Sequence, residues 1–155
     1  ATMALCEAAA YYKTQGKTLW DAMIEMYEQF GYYKDAIQSV TMKGIEGLQK
    51  IQEIMNSLRQ NPPAEFAGHK VVAVRDYKAD TIKDLATGEV KATGLPNSNV
   101  LYYELTDDAW VCVRPSGTEP KVKFYYGVKG TSLADADKKS EIMGKAVLDM
   151  VDSMK

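Results

Sequence analysis

Hydrophobic and polar positions change period several times along the chain. Leu5, Ala9 and Tyr12 recur at helical spacing before Gly16, and Trp20, Met23, Ile24, Tyr27 and Phe30 recur in the same way before Gly31. Thr18 followed three residues on by Asp21 is a capping box with Asp in place of Glu. These signals predict a helical hairpin over residues 1–31. Two short helices bury little apolar surface by themselves. The chain also opens with helix formers already under way. The hairpin is therefore expected to be the tail of a truncated preceding domain.

The rest reads as one unit, residues 32–155. Tyr32 to Met42 has strand composition, and Ile45, Leu48, Ile51, Met55 and Leu58 mark an amphipathic helix closed by Asn61-Pro62-Pro63. His69 to Tyr77 is a strand, and the polar run around Gly88 is a loop or weak hairpin. Asn99 to Leu105 and Ala109 to Val113 flank Thr106-Asp107-Asp108, a hairpin signal, and "KVKFYYGV" is a further strand. Ser132 with Asp135 is a second capping-box variant, opening a helix with Met143, Val147, Met150, Val151 and Met154 on one side. Strand, helix, several strands, helix describes an α+β domain. Its mostly antiparallel sheet is expected to carry helices 44–60 and 133–153 on one face.

Composition narrows the function. At 155 residues the chain holds one ordinary domain, or a domain plus a fragment. A net charge of −2 provides no global field for nucleic acid or an acidic membrane. No apolar run approaches the ~18 residues of a membrane span, and no leader is recognisable. Tyrosine pairs such as Tyr102-Tyr103 and Tyr125-Tyr126 suit core and edge packing better than base stacking. Cys6 and Cys112 have no metal-ligand spacing, so they are expected to be reduced, buried thiols in a cytoplasmic protein. His69 is the sole histidine and has no triad around it. Asp107 and Asp108 are expected to splay apart on their turn rather than share a metal.

One stretch concentrates chemistry. In "VRPSGTEPKVKFYYG", Arg114 offers a planar donor fork matched to two phosphate oxygens. Ser116 and Thr118 supply hydroxyls. Gly117 permits close approach and left-handed dihedrals, so that successive N–H groups converge on an anion. Pro115 and Pro120 fix the ends. A plain hairpin turn with an exposed Arg would show much of the same composition.

Arg114-Pro115-Ser116-Gly117-Thr118-Glu119-Pro120 resembles the phosphate-binding loop in the last domain of the α-D-phosphohexomutase family, the phosphoglucomutases, phosphomannomutases and phosphoglucosamine mutases. The resemblance extends to Leu95–Leu101 before the last hairpin, to Lys121–Tyr125 after the loop, and to the opening helices as the end of that family's third domain. It implies a TATA-box-binding-protein-like fourth domain within a longer enzyme. That enzyme moves phosphate on a hexose through a phosphoserine, a hexose 1,6-bisphosphate intermediate and a Mg²⁺ held by aspartates. The fourth domain would grip the non-reacting phosphate of a phosphosugar through Arg114, Ser116, Gly117 and Thr118. Glu119 would brace the loop, and Lys121 and Lys123, alternating onto one face, would add positive potential.

The family's phosphoserine loop, metal-binding aspartate loop and sugar-recognition loop do not occur in these residues. The expectation is a C-terminal fragment without catalytic residues or metal ligands of its own, inactive alone and completed by upstream domains of the same polypeptide. Two alternatives stand beside it: a free-standing phosphosugar or anion-binding module, and an interaction domain whose loop is incidental.

Overall fold

In the computed structural model, which describes residues 1–42 and 44–154, the sheet is built around the longest alternating strand. Along β8 (Lys121–Gly130), Val122, Phe124, Tyr126 and Val128 are buried on one side, while Lys121, Lys123 and Tyr125 on the other are only half-buried. That period of two fixes which face takes the core. β8 pairs antiparallel with β1 (Tyr32–Thr41) at one edge and with β7 (Trp110–Pro115) on its other side. β6 (Leu101–Leu105) and β3 (His69–Asp76) follow, then the short hairpin β4 (Thr81–Asp84) and β5 (Val90–Lys91). A two-residue strand, β2 (Glu65–Phe66), pairs only with β3. Every pairing is antiparallel.

Two helices cover one face, so the fold is the α+β arrangement expected from the periodicity. α3 (Gly44–Gln60) buries Ile51, Ile54, Met55 and Leu58, and α4 (Leu133–Ser153) buries Met143, Val147 and Val151. Both stripes join Val111, Val113, Val122, Phe124 and Tyr126 in one core. Leu48, expected on the α3 stripe, is instead 51% exposed, and Ile54 takes a core place the spacing did not single out. The buried arc runs 47, 51, 54, 55, 58, so the place one turn before Ile51 is taken by Gly47 rather than Leu48. The side chain of Ile45 lies outside the described residues.

The N-terminal hairpin is α1 (Thr2–Thr14) and α2 (Leu19–Phe30). Gly16, at φ 72°, makes the turn between them. The Thr18–Asp21 box is complete. The Thr18 amide donates to Asp21 Oδ2 at 2.8 Å, and the Asp21 amide donates to Thr18 Oγ1 at 3.2 Å. At α4 only half the box forms. Ser132 Oγ accepts from the Asp135 amide, but the Asp135 carboxylate accepts from the Thr131 amide, one residue earlier than a reciprocal box requires. Neither hairpin helix contains a buried residue, and Trp20 and Phe30 are exposed. Trp20, Met23 and Tyr27 face Tyr33, Lys34, Leu133, Ala136 and Asp137 across a shallow cleft. Cys6 lies exposed on α1, so the expectation of two buried thiols fails for it, because α1 has no core to enter. Cys112 is half-buried on β7.

Candidate phosphate-binding site

The loop between β7 and β8 is anchored at both ends by backbone bonds. The Ser116 amide donates to the Lys121 carbonyl at 2.8 Å, continuing the strand ladder, and the Lys121 amide turns back to the Glu119 carbonyl at 2.8 Å. The Pro120 carbonyl accepts from the Met42 amide at 2.8 Å, which ties the loop to the end of β1. What remains free to face a ligand is the short arc around Gly117. Within it, the Thr118 amide makes one long contact, 3.4 Å, to Ser116 Oγ. No bonded partner occupies the Gly117 amide among the described residues.

This arc borders a pocket of about 300 Å³ lined by Arg114, Pro115, Ser116, Gly117, Thr118, Lys123 and Tyr125. Arg114, Ser116, Gly117 and Thr118 are thus brought together as their order in the loop suggests. Gly117 differs from expectation in one respect. It is not among the glycines with a left-handed φ. The loop that contains Gly117 is closed by the bond from the Ser116 amide to the Lys121 carbonyl, and Gly117 sits in it without a left-handed φ. Gly117 instead contributes openness, since a Cβ there would meet nothing within 4 Å.

The three supporting residues separate. Glu119 and Lys121 pair with each other at 2.6 Å and neither lines the pocket. Hydrogen bonding and charge attraction from Lys121 hold the Glu119 carboxyl below its ordinary value. Lys123 does line the pocket. It is the register partner of Arg114 across the β7–β8 ladder, so the two share a face. Tyr125 also lines the pocket, and its membership depends on strand register, since it pairs with Cys112 on the same open face. Burial pushes the Cys112 thiol up, partly countered by the positive charge of Arg114.

The remaining candidates lie elsewhere. Asp107 and Asp108, both with positive φ at the β6–β7 turn, hold separate partners: Asp107 Oδ2 is 3.0 Å from His69 Nδ1, and Asp108 Oδ2 accepts from Lys129 Nζ at 2.7 Å. Among the described residues no group of three His, Cys, Asp or Glu side chains could hold a metal. The described residues therefore do not fit a Mg²⁺ site. No helix among the described residues is long and apolar enough to cross a membrane.

The chain is an antiparallel α+β domain with a polar pocket under a hydroxyl-rich strand connection. The sequence signature described as "Phosphoglucomutase/phosphomannomutase, C-terminal domain" matches residues 54–144, and the chain belongs to that family. Phosphoglucomutases from two strains of Staphylococcus aureus are each 38% identical to it over 135 residues, covering 87% of this chain and 24% of theirs. The chain thus spans about a quarter of the length of these relatives. Among solved structures, the open form of the Paramecium phosphoprotein pp63/parafusin, a phosphoglucomutase, superposes with a TM-score of 0.49 at 15% identity, over 93% of this chain and 25% of that one.

Proposed function

We propose that this chain is the C-terminal part of a hexose-phosphate mutase and that its Arg114–Pro120 loop grips the phosphate that is not reacting. The supporting observation is the pocket itself, where a guanidinium, two hydroxyls and the open backbone at Gly117 line one space of about 300 Å³, large enough for a phosphate and part of the group that carries it. Charge-assisted bonds from such groups are the strong ones available to an anion. On this reading residues 1–31 end a preceding domain and residues 32–155 form the phosphate-binding domain. The phosphate donor, the Mg²⁺ ligands and the sugar-recognition residues come from upstream in the same cytoplasmic polypeptide. Hexose 1,6-bisphosphate is the intermediate of the whole enzyme, and the chain alone does not turn over hexose phosphates.

Each charge-assisted bond contributes about 1.5–3 kcal/mol in a formed site. Exposure to salt and the loss of ligand freedom offset most of that sum. Affinity for inorganic phosphate is then of roughly millimolar order. Titration followed by amide chemical shifts is the test. Ser116, Gly117 and Thr118 respond, Arg114→Ala abolishes the response, and Arg75→Ala does not, because Arg75 is already paired with Glu104. A response elsewhere with this loop silent refutes the assignment.

A further inference from the structure

We propose that a second pocket, at the other end of the open sheet face, binds an uncharged saccharide through Trp110, Tyr102 and Glu104. It does not depend on what the Arg114–Pro120 loop binds.

Strand alternation brings these side chains together. Leu101, Tyr103, Leu105 and Val111 are buried on the helix side, which leaves Tyr102 and Glu104 of β6 and Trp110 of β7 on the open face. Glu104 and Trp110 are register partners, and the Trp110 and Tyr102 rings stack with centroids 5.6 Å apart and planes within 11°. The indole reaches over β8, where Gly127 makes room for it: a Cβ at Gly127 would come within 2.3 Å of Trp110 Nε1. Arg75 of β3 lies 5.6 Å from the centre of the Tyr102 ring and pairs with Glu104. With Tyr33 and Asp108 these residues line a pocket of about 350 Å³. It shares no lining residue with the loop pocket. Trp110 and Arg114 are separated by about 13 Å of β7.

Two polar atoms in this pocket are left for a ligand. Both Arg75 contacts fall on Glu104 Oε1, so Oε2 has no bonded partner among the described residues. Trp110 Nε1 donates to nothing among the described residues either. Neither atom is sealed from solvent. The pocket therefore offers one acceptor and one donor beside an aromatic surface, held in place by an ion pair and a ring stack.

Charge decides the class of ligand. Arg75 neutralises Glu104, and Asp108 accepts from Lys129 Nζ at 2.7 Å. Asp35, opposite Gly127 on β1, does not line the pocket. With its charges cancelled in pairs, the pocket has no net counter-charge for an ion. A purely apolar ligand would strand the indole N–H and the carboxylate oxygen. A pyranose satisfies all three features. One hydroxyl donates to Oε2, another accepts from the indole, and the C–H face of the ring packs on the aromatic surface.

The test titrates the chain with maltose and reads the Trp110 indole N–H resonance, assigned by its loss in Trp110→Phe. Maltose shifts this resonance and the Glu104 and Val111 amides, with a dissociation constant of roughly ten millimolar. Sorbitol has the hydroxyls without the ring and binds about tenfold more weakly, since it has no apolar face to bury. Trp110→Phe keeps an aromatic ring and loses the donor. Its maltose affinity, read from the two amides, falls about fivefold, the equivalent of one neutral hydrogen bond. Glu104→Gln, which replaces the anionic acceptor, lowers it about tenfold and serves as the second variant should Trp110→Phe disturb the ring stack. No shift of the Trp110 indole at about 100 mM maltose, an equal response to sorbitol, or undiminished affinity in both variants overturns the proposal.

Discussion

Glu119 Oε2 sits 2.6 Å from Lys121 Nζ, two residues apart at the loop's exit. The pair holds the Glu119 carboxylate on Lys121, and neither residue lines the pocket. The Lys121 ammonium is the leading cause of the lowered Glu119 pKa. The interaction is therefore fully present above the ordinary glutamate range, about 4.3. It is lost only as pH falls through the lower midpoint of the folded state. Carboxyl-detected NMR titration should place the Glu119 midpoint below that of an unpaired glutamate, and Lys121→Met should return it upward. An ordinary midpoint in the wild-type chain contradicts the pairing.

Arg59 ties the last turn of α3 to the sheet. Its Nε donates to Asp76 Oδ2 at 3.1 Å, and its other nitrogens reach the Asn99 side chain and the Met55 carbonyl. Both charged side chains are only about one-sixth exposed, at 15% and 16%. Removing one partner leaves an ill-solvated charge on the other. Arg59→Met should therefore destabilise the chain by about 2–4 kcal/mol in urea unfolding, near the lower end of values for buried pairs. Adding Asp76→Asn to that variant should recover part of the loss. Additive losses in the double variant would show that the two residues act independently.

The hairpin of α1 and α2 should be the least protected helical part of the chain. Neither helix buries a residue, whereas β8 is buried along its whole inner face. Opening the hairpin costs few apolar contacts. Hydrogen exchange followed by mass spectrometry should show α1 amides exchanging well before those of β8 and α4. Equal protection of α1 and β8 in a demonstrated monomer would refute this.

Much of the architecture was legible because it rests on local periodicity. The α4 stripe of Met143, Val147 and Val151, the alternation along β8 and the Thr18–Asp21 box depend on neighbours within a turn or a strand. The features that escaped depend on pairing between distant segments. Nothing near Tyr125 in sequence places it in the pocket until β8 is set in register with β7. Lys121 and Lys123 look alike as alternating strand lysines, and only the position of Glu119 separates them. Gly117 looks like a left-handed turn glycine, but the loop closed by the long-range bond from Ser116 to Lys121 holds it without a left-handed φ. The partnership of Arg59 with Asp76 and Asn99 spans 17 and 40 residues and left no local signal.

Tyr103 shows how a break in one element is mended by another, and it yields a prediction with two independent readouts. The Leu58 carbonyl lies in the last turn of α3, where its helical partner would be the amide of residue 62. That residue is Pro62, which has no N–H to give. Tyr103, fully buried on β6 with its ring against Phe66 at 5.3 Å, donates its hydroxyl to the Leu58 carbonyl at 3.1 Å. Tyr103→Phe keeps the ring and removes only the donor. It should cost about 1–2 kcal/mol in urea unfolding, since a buried carbonyl is left unsatisfied. Burial also raises the Tyr103 pKa far above that of a free tyrosine. The unfolded chain therefore releases this proton first, from about pH 10 upward. Stability from this group is complete below that pH and declines as pH rises toward the folded-state value. The Phe variant should lose less stability than the wild type between neutral and strongly alkaline pH. Parallel stability profiles in that range, or no loss at neutral pH, would show that the hydroxyl does not cap the helix end.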